Sequence, residues 1–337
     1  MNIKQHILNL AKKSHGRIIM PEIFDTRILK AAQMLIANNI CKVILPIRNC
    51  NDWTQIKHIA LNNNIDIDGI EKVFIDIDML STNEVNKFIK KMYNKNIDSK
   101  QALTILKTPL YFSMMFLKSS KCDACICGAV YDTAQVLRAG LKILGVAHGI
   151  KKISSYFLMI PPKTHYLVKK PVIFTDCAVN PEPNASTLKD ITIASINNFK
   201  KIFPGEPIYV SMLSFSTKGS SNSKVLTKII KATELLKKFF KNSTTNINID
   251  GELQFDASVI PIVAKKKAPT SSVAGMANIF VFPDLNAGNI GYKIAERYGK
   301  FQALGPIVQG FPLSVSDLSR GSSIEDIYLA SAILLIK

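Results

Sequence analysis

Residues 122–140 read CDACICGAVYDTAQVLRAG, and the fold class turns on what the cysteines are doing. Cys122 and Cys125 have the Cys-x-x-Cys spacing of a redox pair or of half a zinc site. A structural zinc site needs two further ligands at matching spacing. The chain has no second Cys-x-x-Cys. Its other cysteines stand at 41, 50, 127 and 177, and its five histidines, at 6, 15, 58, 148 and 165, show no ligand pattern. Read as a strand, the run points side chains alternately to opposite faces, ends at Gly128 and passes into a helical pattern that carries Arg138. Free cysteine behaves as a small buried hydrophobe, so the expectation is a β–α unit and no metal.

The same alternation spreads in both directions. RIIMP, KVILP and KVFIDI read as strands, with DTRILKAAQMLIANN and NEVNKFIKKMYNK as helices among them. Near 149 the pattern breaks. SSYFLMIPPKTHYLVKKPVIFTD reads as two extended segments joined by a Pro- and Lys-rich turn. A second series follows, with strands PIYVSMLSF, NINID and NIFVFPD and helices NASTLKDITIASINNFKKI, SKVLTKIIKATELLKKFF and LQFDASVIPIVAKKK. The expectation is an α/β protein of two domains, whose ligands gather at the carboxyl ends of strands.

Composition supports a globular chain, with 337 residues and 47% hydrophobic content. Of the 43 basic residues behind the net charge of +18, only Arg17, Arg27, Arg48, Arg138, Arg297 and Arg320 are arginines. The lysines are scattered without aromatic interleaving, so nucleic acid is not an expected partner, whereas a small polyanion suits the excess charge. The first residues, MNIKQHILNLAKKSHGR, lack a signal-type apolar core, and no apolar run reaches membrane-spanning length. A cytoplasmic protein without membrane contact is expected.

Two loops after strands are rich in anion-binding residue types. SFSTKGSSNSK, residues 214–224, places Ser216, Thr217, Lys218, Gly219 and Ser220 in one turn before a helix, where backbone N–H groups can face an anion. It lacks the Walker A order. FPDLNAGNIGYK, residues 282–293, opens a helix with Gly288, Asn289 and Gly291 but is not GxGxxG. A third stretch, SDLSRGSSIED at 316–326, precedes the last helix. Ser322 with Glu325 and Ser323 with Asp326 both fit a capping box, so these residues alone leave helix capping and catalysis both open.

Taken together, the chain resembles the phosphate acetyltransferases, or phosphotransacetylases, with the phosphate butyryltransferases as near relatives. The resemblance runs through RIIMPEIFDTRILKAA, FTDCAVNPEP, SMLSFSTKGS, DGELQFDASV, KKKAPTSSVAGMAN, VFPDLNAGNIGYKIAERYG, GPIVQGFP and DLSRGSSIEDI. It implies two three-layer α/β domains with a cleft between them, like the isocitrate and isopropylmalate dehydrogenases. The first domain would hold 1–149 and 312–337, and the second, 150–311, would carry most of a homodimer contact.

The resemblance also implies a reaction, acetyl-CoA plus phosphate giving acetyl phosphate plus CoA, with CoA as substrate and no bound cofactor. It assigns Asp326 as base for the CoA thiol, Arg320 as holder of the phosphoryl oxygens and Ser319 as donor to the carbonyl oxygen. A thiol is only a few per cent thiolate at neutral pH, which is why a base is needed. Arg138 and the two loops would complete substrate binding. The chain departs from the family at Ser322, where cysteine is common, and at Ser113 and Ile23. It departs also at Tyr93, where many members carry an arginine that Lys95 would replace in part. A longer-chain acyltransferase and a non-catalytic regulatory homologue that binds CoA or acyl phosphate are the alternatives.

Overall fold

The computed structural model describes residues 2–243 and 246–337. They form two compact units, one of residues up to His148 with Phe311–Lys337, the other of Gly149–Gly310. Each carries its own sheet.

In the first unit β1 (Arg17–Ile19), β2 (Lys42–Ile47), β3 (Glu71–Phe74) and β4 (Ala124–Cys127) are joined by β11 (Ser314–Asp317) in the order β11-β4-β1-β2-β3. All neighbours are parallel. Such sheets are buried on both faces, and all four residues of β4 are buried accordingly. Cys125 and Cys127 face a core built with α4 (Thr82–Tyr93), α5 (Ser99–Leu106), α6 (Pro109–Lys118) and α7 (Thr133–Ile143). The cysteines are therefore core side chains. Elsewhere α13 (Ile324–Leu334) packs against α1 (Ile3–Lys12) and α2 (Thr26–Ala37). Helix α3 (Cys50–Asn62), which follows β2, packs against β2 and α2.

The second unit has the order β10-β5-β6-β9-β7-β8. β5 (Ser154–Ile160) and β6 (Val172–Thr175) are the two extended segments of the sequence reading and pair antiparallel. β7 (Ile208–Leu213), β8 (Ile247–Leu253) and β9 (Ile279–Val281) run parallel to β6, and β10 (Gln302–Gln309) lies antiparallel on β5. Helices α8 (Ala185–Ile202), α9 (Thr227–Phe240) and α12 (Leu285–Arg297) connect them. The expected single helix LQFDASVIPIVAKKK is two, α10 (Phe255–Val259) and α11 (Pro261–Lys267). Pro261 has no N–H to continue the first and a fixed φ suited to starting the second.

Among the described residues no helix is long and apolar enough to cross a membrane, and no group of His, Cys, Asp or Glu side chains is arranged to hold a metal ion.

Candidate functional site

The site in the first unit follows from strand register. β11 pairs with β4 so that Asp317 lies opposite Cys127, and the Leu318 N–H donates to the Cys127 carbonyl at 2.7 Å. The turns leaving these strands therefore lie side by side at the carboxyl end of the sheet. Gly128 makes the fit possible. Its φ is +103°, and a Cβ there would stand 2.4 Å from Asp317 Oδ1 and from the Leu318 nitrogen.

Two side chains fix these turns. Glu22, buried, accepts four backbone N–H bonds. Its Oε1 takes those of Gly128 (3.0 Å), Val130 (2.7 Å) and Tyr131 (2.8 Å), and its Oε2 that of Ala129 (2.9 Å). The ring of N–H groups after β4 is thus filled by the protein's own carboxylate. Arg27 joins the two turns from α2. Its Nη1 donates to the carbonyls of Arg320 (2.6 Å) and Ser322 (3.1 Å), and its Nη2 to Ala129 (3.0 Å). Asp25 holds the guanidinium in a two-point pair at 3.0 and 2.7 Å. Burial alone would raise the Asp25 pKa, but hydrogen bonds and charge from Arg27 outweigh it and hold the carboxyl below its usual range.

The turn so fixed presents Ser319, Arg320 and Gly321 to solvent. The Gly321 N–H donates to Ser319 Oγ at 3.3 Å, and the Ser322 N–H to the Ser319 carbonyl at 2.9 Å. Of the two capping registers, the helix takes Ser323 with Asp326. Ser323 Oγ accepts from the Asp326 N–H (3.2 Å), while Asp326 Oδ2 accepts from the Ser323 N–H (3.0 Å) and hydroxyl (2.7 Å). Glu325 instead pairs with Lys4 at 2.6 Å. Asp326 is half-buried and its carboxylate serves the helix start.

Arg138, on α7, lines an open cavity of about 380 Å³ together with Lys91, Lys95, Lys142, Ala134, Leu137 and Leu141. Burial and then Lys118, Lys95 and Lys142 lower the Lys91 pKa; burial, Lys95 and Arg138 lower that of Lys142. Lys91 is held by the carbonyls of Leu141 (3.0 Å) and Lys142 (2.9 Å) at the end of α7. Tyr93, by contrast, is 70% exposed and outside the lining, whereas Lys95 stands within it. A basin of this kind suits a polyanion with an apolar part.

In the second unit the turn after β7 is bound to β8 and the residues just beyond it. The Gly219 N–H donates to Glu252 Oε1 at 2.7 Å, and Lys218 Nζ reaches Asp250 at 2.5 Å, an aspartate it shares with Lys237. Ser216 Oγ lies 3.0 Å from Ser220 Oγ, and Thr217 Oγ1 donates to Gln254 at 3.2 Å. Ser216 and Thr217 are buried, while Lys218, Gly219 and Ser220 are exposed. Gly288 lets α12 approach the end of β6, since a Cβ there would meet the Asp176 carbonyl at 2.4 Å. The Asn289 amide donates to the Cys177 carbonyl at 3.1 Å. Both residues therefore hold the turn after β6 in place.

Glu22, Arg27 and Asp317 are the side chains that sequence reasoning passes over. The only sequence signal is a lone acid between apolar residues, in MPEIF, and an acid and arginine two residues apart at a helix start, in DTR.

A sequence profile described as "Phosphate acetyl/butaryl transferase" matches residues 2–335. A phosphate acetyltransferase of Clostridium acetobutylicum is 39% identical over 337 residues, covering 100% of this chain and 98% of that one. Among solved structures, a phosphotransacetylase from Staphylococcus aureus superposes with a TM-score of 0.85 at 36% identity, over 99% of this chain and 98% of the other. One from Streptococcus pyogenes gives 0.87 at 34% identity, over 100% and 98%.

Proposed function

The chain belongs to the phosphate acetyl/butaryl transferase family, and on that premise we propose that it moves an acetyl group reversibly between CoA and inorganic phosphate. In the direction of acetyl-CoA synthesis, Asp326 accepts the proton of the CoA thiol. The thiolate attacks the carbonyl carbon of acetyl phosphate, the C–S bond forms, and the bond from that carbon to the bridging phosphate oxygen breaks. The departing phosphate carries the electron pair and regains the proton. A donor aimed at the carbonyl oxygen lowers the barrier where charge develops, and Ser319 has that role. Arg320 holds two phosphoryl oxygens at once through its planar fork.

The observation that carries this reading is the turn itself. Ser319 and Arg320 face solvent on a backbone that Arg27 anchors at both Arg320 and Ser322, and Asp326 stands at the start of the helix that follows. Pre-set donors of this kind stabilise a transition state without reorganising. The basin of Lys91, Lys95, Arg138 and Lys142 takes the phosphates of CoA, with apolar residues beneath them. The reading assigns further substrate contact to Ser216, Thr217, Lys218, Gly219 and Ser220, and to Gly288 and Asn289. It includes a cytoplasmic homodimer, which sedimentation of the purified chain tests directly. No bound cofactor is part of the reaction as written.

The test is release of free thiol from acetyl-CoA, with and without phosphate, repeated with butyryl-CoA. The reading expects phosphate-dependent release, faster with acetyl-CoA. Folded protein that releases no thiol from either substrate removes the enzyme reading, and preference for butyryl-CoA replaces it with the longer-chain one.

A further inference from the structure

The basin on α7 is lined by Lys91, Lys95, Arg138 and Lys142 and by no carboxylate. Lys91 is held by the carbonyls of Leu141 and Lys142 at 3.0 and 2.9 Å. Arg138 keeps its charge through its guanidinium chemistry. Lys142 has neither support: it is half-buried, and among the described residues its nitrogen has no hydrogen bond and no ion pair. It lies 5.8 Å from the centre of the Tyr111 ring on α6. The charged and titratable groups around it are Lys91 on α4, Lys95 just beyond α4, Arg138 on its own helix and Tyr111. Glu84, the acid of α4, is paired with Lys87 and Lys118. An amine set among cations, with no partner for its proton, shifts toward the neutral form, and the neutral amine is the nucleophile.

We propose that Lys142 is a modification site that takes the acyl group of an acyl phosphate whose phosphate is held in this basin by Arg138 and Lys95. The neutral amine attacks the carbonyl carbon. A C–N bond forms, the bond from that carbon to the bridging oxygen breaks, and phosphate leaves with the electron pair. The nitrogen gives one proton to the departing phosphate. The products are an Nε-acyl-lysine and inorganic phosphate, and nothing is oxidised or reduced.

The cavity selects this lysine among many. Arg138 and Lys142 stand four residues apart on α7 and so share one face of the helix. The planar fork of Arg138 matches phosphoryl oxygens, and Ala134, Leu137 and Leu141 give the acyl chain an apolar wall. Burial, then Lys95 and Arg138, lower the Lys142 pKa, and each unit lowered raises the neutral fraction about tenfold. A bound phosphate dianion pulls the other way, but the three other cations share its charge. Acylation then removes one charge and one donor from the basin. On the reading of the basin as the CoA site, on which this consequence rests, acyl phosphate weakens the chain's own grip on acetyl-CoA.

The experiment incubates the full chain with acetyl phosphate, without CoA, and follows the acetylated fraction of each lysine by peptide mass spectrometry. The exposed Lys57 on α3 and Lys266 on α11 are internal references. Lys142 is expected to react about tenfold faster than either at about pH 7.5, the ratio shrinking as pH rises toward about 10. Arg138→Ala should slow Lys142 about tenfold and leave the references unchanged, and added inorganic phosphate should slow Lys142 alone. Acetylation of Lys142 no faster than the references overturns the proposal, as does faster acetylation of Lys91 or Lys95. An Arg138→Ala chain that acetylates Lys142 at the parent rate also overturns it, because the phosphate is then not held in the basin. KM for acetyl-CoA, measured on the acetylated chain and on Lys142→Gln, separates this from the CoA reading and is expected to rise in both. An acetylated chain with unchanged KM keeps the modification and removes the CoA reading of the basin. A raised KM in Lys142→Gln with no acetylation of the parent does the reverse.

Discussion

Replacing Arg27 with alanine removes a side chain that ties the turn after β4 to the turn after β11. Five hydrogen bonds go: two to Asp25, and three to the carbonyls of Arg320, Ser322 and Ala129 at 2.6, 3.1 and 3.0 Å. Charge-assisted bonds contribute roughly 1.5–3 kcal/mol each. The Arg27 side chain is 28% exposed, so a discounted value of about 1 kcal/mol for each carbonyl is the safer figure. The turn then loses about 3 kcal/mol, and at about 1.4 kcal/mol per decade the share of molecules holding the reactive arrangement falls about a hundredfold. In the phosphate-dependent thiol assay, kcat should fall by about that factor. KM for acetyl-CoA, which the proposed reading assigns to the basin on α7, should stay within about threefold. Arg27→Lys has a single ammonium that cannot fork across both turns, and should fall about tenfold. A folded Arg27→Ala protein whose kcat stays within about fivefold of the parent would refute the reasoning.

Three other outcomes follow from the same geometry. Glu22→Gln keeps the shape but turns one amide edge toward the ring of N–H groups, which should destabilise the protein by about 3 kcal/mol, read from urea denaturation followed by near-ultraviolet signals. Arg138→Ala and Lys95→Ala should each raise KM for acetyl-CoA about tenfold and leave KM for phosphate nearly unchanged, the effect shrinking at high salt. The Asp25 carboxyl is lowered below 3.8 in the folded chain, so its stabilising pair with Arg27 is complete above that value and lost as pH falls through the lower folded one. Acid unfolding should become less steep in that window for Asp25→Asn.

What the sequence made legible was set by patterns that local chemistry writes directly. CDACICG, KVILP and KVFIDI became β4, β2 and β3 because continuous apolar runs bounded by turn residues have few other fates. The strand β10 was hidden because Gly305 and Pro306 interrupt its alternation, and its pairing shifts between Leu304 and Ile307. The strand β11 was hidden because it is SVSD, a polar run whose last three residues the sheet nevertheless buries. The site divides in the same way. SRG and the Ser323–Asp326 box could be read from spacing, including the register ambiguity that Ser323 resolves. Glu22, Arg27 and Asp317 could not, because Glu22 and Arg27 act on backbone about a hundred residues or more away in the chain and Asp317 faces Gly128 from as far, brought near by the pairing of β4 with β1 and with β11.

The central claim is that Asp326 does more than cap its helix, and two substitutions separate the roles. Asp326→Asn keeps an oxygen that can accept from the Ser323 N–H but cannot take a proton from a thiol. Ser323→Ala removes the cap hydroxyl and leaves the carboxylate. The measurement is the rate of acetyl-CoA formation from CoA and acetyl phosphate in both variants, beside their melting temperatures. The account predicts a loss of about 10²–10⁴ in rate for Asp326→Asn with little change in melting. For Ser323→Ala it predicts a stability loss of about 1 kcal/mol with most of the rate retained. An Asp326→Asn protein that forms acetyl-CoA at the parent rate would contradict it.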